Sequence, residues 1–322
     1  MIGLRQASQL DDHVHSTAGS ADARDSMMAL CARAVALGLR RVCFTEHVDY
    51  DVTLPEYGYF DFARVRRAWE EARSAYAGRL EVRLGLEVDF RPAFLARMCD
   101  DLPRYAVDVV LGAVHSYGGR HLLDVRADKA TWAPEELGAL YAAYFRDLRL
   151  LIETGVIDSL AHFDYPYKLG LRPAETADIP GYEEELTATL ALAIARGVAI
   201  EVNTKGADTG TPLAASAAIL RRYRELGGTR VTLGSDAHRA ADLVAIGRRQ
   251  ALRGESALHR VADARLPVDQ RAVAIEYGQP AHAGSPRISV ASAGAPCASS
   301  PSATRSRSAS GLFCDSLKVG RQ

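Results

Sequence analysis

The chain lacks the cysteine pattern of a disulfide scaffold or a thiolate metal site. Its five cysteines (Cys31, Cys43, Cys99, Cys297 and Cys314) are odd in number, widely spaced, and form neither a CxxC pair nor a zinc-finger spacing. They read as buried or incidental thiols. It also lacks an apolar run long enough to span a membrane, and residues 1–20 carry one arginine and no signal-peptide core. The expectation is a cytoplasmic protein with no membrane partner. Basic charge is scarce where it would matter. The formal net charge is -1, but residues 248–322 hold 11 Lys/Arg against 5 Asp/Glu, while residues 1–247 hold 28 against 35. An acidic body argues against a broad nucleic-acid surface, which draws on clustered basic groups, although a narrow site could still accept one nucleotide.

What is present is 322 residues with 48% hydrophobic composition, enough for one α/β barrel domain or two smaller domains. Through residue 238 one unit recurs: a short β-branched apolar run, a polar group at its end, then a longer stretch with helical spacing. The runs predict strands over 9–15, 41–47, 80–89, 108–115, 157–164, 198–203 and 231–236, and helices over 26–37, 62–76, 134–154, 182–196 and 213–226. Such alternation implies a mainly parallel sheet, and seven strands approach the count of a TIM-like barrel. In closed barrels the carboxyl ends of the strands gather at one face, so side chains distant in sequence become neighbours there. After Gly247 the composition changes, and residues 284–310 are rich in Ser, Ala, Pro, Gly and Arg with few large apolar residues. Too little apolar surface is available there to offset chain entropy. The expected division is a barrel over 1–247 and a largely disordered basic tail over 248–322.

The predicted strands end in chemistry. In Asp12-His13-Val14-His15, residues two apart on an extended strand face the same way, so both imidazoles can reach one metal ion. Alone this HxH is only moderately specific. The theme returns in Thr45-Glu46-His47, Gly85-Leu86-Glu87, Ala113-Val114-His115-Ser116, Ala161-His162-Phe163-Asp164 and Gly234-Ser235-Asp236-Ala237-His238. Six of the nine histidines therefore close successive strands together with carboxylates, a costly set of polar groups to bury as mere core filler. Imidazole with carboxylate, and no cysteine nearby, suits zinc, manganese or iron. The ligand number suits two or three ions, with Glu87 placed to bridge a pair. Such a cluster lowers the pKa of water and stabilises a leaving oxygen, which is phosphoester chemistry.

The ordered motifs HVHS, TEH, GLE, AVHS, AHFD and GSDAH resemble the PHP (polymerase and histidinol phosphatase) family over about residues 10–247, and MMALCARAVALGLRRVCFTEHVDYD resembles its histidinol-phosphatase branch. The resemblance implies a distorted (β/α)7 barrel with a trinuclear site that hydrolyses L-histidinol phosphate to histidinol and phosphate in histidine biosynthesis. It further implies His13, His15, Glu87 and Asp236 as ligands of one metal, Glu87, His115 and His162 of a second, and His47 and His238 of a third. Asp22 is the nearest carboxylate for that third position, with a solvated loop or helix-capping role as its alternative. Catalytic roles fall to Glu46, His47, Asp236 and His238. Glu46 could orient water or His47, or be a surface carboxylate. Asp164 could fix the His162 tautomer or simply shape a turn. The small phosphorylated substrate needs cationic or amide donors, for which Lys168, Lys205, Asn203 and Arg120 are the candidates, with solvated side chains or turn formation as the bland reading of each. Two other functions stay open: another PHP-family phosphoesterase acting on a different phosphomonoester or nucleotide, and a catalytically impaired metal-binding remnant. An amidohydrolase fits less well, because that barrel class bridges its metals with a strand-borne lysine where this chain has Glu87.

Overall fold

In the computed structural model, which describes residues 9–54, 57–128, 131–171, 179–205 and 215–243, seven parallel strands pair in chain order. They are β1 (Leu10–Val14), β2 (Arg41–Val48), β3 (Glu81–Asp89), β4 (Val109–Ala113), β7 (Ser159–Leu160), β8 (Ala199–Asn203) and β9 (Val231–Gly234). Between β4 and β7 the chain makes a small antiparallel hairpin, β5 (Ser116–Tyr117) with β6 (Arg120–His121). Just past β9, Asp236 N donates to His13 O (2.8 Å) and His15 N to Ala237 O (2.9 Å), bringing the last strand back to the first. The result is a nearly closed, distorted TIM-like (β/α)7 barrel. β7 is shorter than its apolar run predicts. Only Ser159–Leu160 pair, and the chain turns at once through Ala161–Asp164, with His162 in left-handed backbone (φ 31).

Strand alternation divides the core into an outer and an inner part. On β2, Val42 and Phe44 pack outward with Met27, Leu30, Ala34 and Val65 of the first two helices, Met27–Ala36 and Phe62–Ala75. Outward residues of β3, β4 and β8, such as Leu86, Val110 and Ile200, pack with Leu140, Phe145 and Leu148 of Pro134–Glu153 and with Leu190 of Tyr182–Arg196. The inward set is small: Cys43, Val109, Leu111, Ala113 and Ala161 form their own buried cluster. This short apolar layer leaves the next inward positions up the strands, such as His47 and Glu87, for polar groups.

The helices begin and end where local chemistry allows. Ser26 Oγ accepts from Ala29 N, Asp61 Oδ1 accepts from Arg64 N at 2.9 Å, and Pro134 opens its helix where no amide donor is needed. The helix expected over 213–226 is Ala217–Glu225, capped by Ser216. The proposed tail, 248–322, lies outside the described residues.

Candidate metal centre

The polar inward positions converge at the carboxyl ends of the strands. Register alone sets His47 on β2 beside Glu87 on β3. Glu87, 1% exposed, is the hub. Its Oε2 lies 3.2 Å from His13 Nε2, 3.3 Å from His15 Nε2 and 3.3 Å from His47 Nδ1, and its Oε1 lies 2.8 Å from His162 Nε2 and 3.9 Å from His115 Nε2. Three ligand groups result, the atoms of each lying within 4.8 Å of one another: His13, His15 and Glu87; Glu87, His115 and His162; and His15, His47 and His238. Asp236 Oδ1 stands 3.6 Å from His15 Nε2. Asp22 Oδ2 stands 2.7 Å from His238 Nε2, and Asp22 Oδ1 stands 3.7 Å from His47 Nε2. All nine sequence-predicted ligands therefore come together.

Proton placement tests whether cations fit. His13 donates Nδ1–H to Glu201 Oε1 at 2.7 Å, His15 faces Ser20 Oγ through Nδ1 at 3.2 Å, and His115 faces Asp89 Oδ1 through Nδ1 at 3.1 Å. With Nδ1 carrying the proton in each, the Nε2 lone pairs all point into the site. His13 and His15 then bring two lone pairs within 2.9 Å of each other, and His115 and His162 bring their Nε2 atoms within 3.2 Å. Lone pairs so arranged around a carboxylate repel unless a cation lies among them, so the residues fit divalent ions. His162 Nδ1 makes no hydrogen bond among the described residues.

The electrostatics agree. Burial alone would push the Glu87 carboxyl up, but the imidazoles of His13, His15 and His162, when protonated toward it, hold it well below the usual range, a charge-balancing part that a cation among their lone pairs would take over. Burial likewise opposes ionisation of Asp236, and Lys205, His13 and Lys168 overcome it. Asp22 is held low against its partial burial by His238 and His47. Buried carboxylates that stay ionised need nearby positive charge. Two of the candidate ligands also sit in left-handed backbone, His162 (φ 31) and Asp236 (φ 53). Each such residue stores roughly 1–3 kcal/mol and persists only where the surroundings enforce it.

A cavity of about 560 Å³ opens over the cluster. Lys168 and Lys205 line one wall: Lys205 Nζ is 2.9 Å from Asp236 Oδ1, and Lys168 Nζ is 3.7 Å from Asp236 Oδ2. Other predicted residues lie elsewhere. Glu46 is fully buried on the opposite face of β2 from His47, held by Ser16 and by Ser20 Oγ at 2.7 Å, and burial pushes its carboxyl up to about 7. It does not line the cavity. Its reach into the site is indirect, because Ser20 Oγ also accepts from His47 N (3.2 Å). Arg120 is half exposed and forks onto Asp128 at 2.6 and 3.0 Å, off the cavity wall, where His121 stands instead. Asn203 is buried beneath the wall and holds Lys168 Nζ at 2.7 Å through Oδ1. Asp164 Oδ1 accepts from Ala215 N at 2.7 Å, a tie across 51 residues and not a brace for His162.

Glu201 and Asp89 escaped the reading of the sequence, although a signal existed. Each lies two positions from a residue already chosen on the same strand, Asn203 and Glu87, and so faces inward with it. Glu201 also explains Gly234. A Cβ there would stand 2.1 Å from Glu201 Oε1 and 2.4 Å from His13 Cβ.

Comparison with known proteins agrees with this geometry. The PHP domain family model matches residues 11–205. A Deinococcus radiodurans protein named probable histidinol-phosphatase is 30% identical over 244 residues, covering 72% of this chain and 87% of its own. The histidinol-phosphatase of Lactococcus lactis is 26% identical over 262 residues, covering 79% of this chain and 93% of its own. The crystal structure of the Lactococcus lactis histidinol phosphate phosphatase, complexed with zinc, L-histidinol and phosphate, superposes with a TM-score of 0.62 at 23% identity, covering 79% of this chain and 93% of that one. A barrel of seven parallel strands that gathers eight further candidate ligands around Glu87 at one end, matched by that family model, makes this chain a member of the PHP domain family.

Proposed function

We propose that the protein is a histidinol-phosphatase, a cytoplasmic phosphoric monoester hydrolase that converts L-histidinol phosphate to L-histidinol and phosphate in histidine biosynthesis using two or three zinc, manganese or iron ions. The observation that carries this reading is the convergence of three histidine-containing ligand groups beneath a cavity walled by two lysines. His13, His15, Glu87 and Asp236 would hold one ion, Glu87, His115 and His162 a second, and His47, His238 and Asp22 a third. Ions held there supply Lewis acidity, lowering the pKa of water and neutralising charge on phosphoryl oxygen.

The chain's own groups supply binding and orientation. Lys168 and Lys205 meet the phosphate oxygens, and Asn203 keeps the Lys168 ammonium turned toward them. Asp236, held well below the carboxylate range, is a weak base. Its part is to accept a hydrogen bond from the attacking water and turn it toward phosphorus. The lining also includes Leu54, Leu123 and Leu169 with carboxylates at Asp49 and Asp124, which suits an organic group bearing a cationic amine. No helix among the described residues is long and apolar enough to cross a membrane. All proposed ligands precede Gly247, so we place the activity in residues 1–247.

Phosphate release from L-histidinol phosphate by metal-reconstituted protein, against a panel of other phosphomonoesters and nucleotides, tests the assignment. Turnover of L-histidinol phosphate well above the panel, lost in His13→Ala and Asp236→Ala, is expected. Preference for another ester would redirect the substrate, and metal binding without any turnover would refute the enzyme reading.

A further inference from the structure

We propose that Glu201 is a positioning residue that sets two of the cation-binding groups and the phosphate-facing lysine together; this rests on the metal-dependent phosphatase reading above. Glu201 is 1% exposed. Its Oε1 accepts Nδ1–H of His13 at 2.7 Å, which leaves the His13 Nε2 lone pair aimed at the site. Its Oε2 accepts the backbone N–H of His162 at 2.7 Å, fixing a ligand that stands in left-handed backbone. The same oxygen accepts from Asn203 Nδ2 at 3.1 Å, and Asn203 Oδ1 in turn holds Lys168 Nζ at 2.7 Å. One carboxylate therefore braces a ligand from each of two groups that share Glu87, together with the residue that aims Lys168. Asp89 has a narrower role, reaching only His115 among the ligands, through Nδ1 at 3.1 Å and N at 3.2 Å.

The demand on Glu201 is purely for acceptors, with three donors on two oxygens, and this makes Glu201→Gln informative. The amide has nearly the same shape but only one acceptor oxygen. If its NH2 faces His13, the imidazole proton must move to Nε2 and the lone pair that would bind a cation is lost. If its NH2 faces His162, two donors oppose each other at a backbone that cannot turn away. Either choice damages a ligand, while cavity volume and packing stay as they were.

The test is a titration of the full chain with zinc against a chromophoric chelator, comparing wild type, Glu201→Gln and Asp89→Asn, with metal-free circular dichroism and melting to verify folding. In the expected result Glu201→Gln weakens two zinc equivalents by about 10–100-fold each and Asp89→Asn weakens one, the range typical for loss of a partner behind a ligand. Inorganic phosphate should also inhibit zinc-loaded Glu201→Gln less strongly than wild type. A titration of Glu201→Gln that matches wild type, or that weakens one equivalent as Asp89→Asn does, overturns the proposal. Should the glutamine variant fail to fold, Glu201→Asp carries the same readout: it keeps the charge but withdraws the oxygens by one methylene, and two weakened equivalents are again required. Wild-type protein that binds fewer than two zinc ions would refute the metal-centre reading itself, an outcome distinct from an unchanged variant.

Discussion

Replacing Gly234 by alanine adds a single methyl group at a crowded point of the barrel, and its cost follows from the neighbours it meets. The new Cβ would lie 2.1 Å from Glu201 Oε1 and 2.4 Å from His13 Cβ. Neither neighbour can yield easily. The Glu201 carboxylate is held by His13 Nδ1 and His162 N, each at 2.7 Å, and the His13 Cβ is fixed by the backbone of β1, whose end is tied to Asp236 N at 2.8 Å. Overpacking of this kind costs about 1–3 kcal/mol. Breaking the charged Glu201–His13 hydrogen bond adds roughly 1.5–3 kcal/mol. The stiffer unfolded chain returns about 0.4–1 kcal/mol. A net loss of about 2–5 kcal/mol follows, which at roughly 2–4 °C per kcal/mol is a fall in Tm of about 4–20 °C. Melting should be followed by circular dichroism in excess chelator, so that bound metal does not add its own stabilisation. With zinc added the gap should widen, because the displaced His13 also loses its hold on the ion. A chelated Tm within about 2 °C of wild type would refute the reasoning, since it would require the Glu201–His13 pair to be free to move.

Lys168→Met should lower kcat/KM for a phosphomonoester by about 10–150-fold, the worth of one charge-assisted hydrogen bond, with zinc affinity nearly unchanged; steady-state kinetics and the chelator titration check both halves. Arg120→Ala should leave kcat/KM within about threefold and stability within about 1 kcal/mol, because its partner is Asp128 on the surface; a large loss of activity would place Arg120 at the substrate after all. Burial pushes the Cys31 thiol up to about 12 and the Cys43 thiol well above its usual range, so both should resist iodoacetamide in the native protein and react only in denaturant, as read by peptide mass mapping.

Sequence alone determined the strand-by-strand plan and singled out the side chains that gather at the strand ends. Both depend on local periodicity, since an apolar run that ends in a polar group marks a strand end, and residues two apart share a face. By that same rule Glu46 and His47, adjacent on β2, had to face opposite ways, and Asp89 and Glu201 had to face inward; those readings were available locally. Tertiary structure decided which groups meet. His13 finds Glu201 across 188 residues, Ser235 N finds Asp11 across 224, and Asp22 reaches His238 only because the barrel closes. Nor could spacing reveal that Arg120 is taken by Asp128, that Asn203 serves Lys168 from below the wall, or that a methyl group has no room at Gly234. These follow from strand register and closure, which arise from packing the whole sheet against its helices and are written in no single segment of the chain.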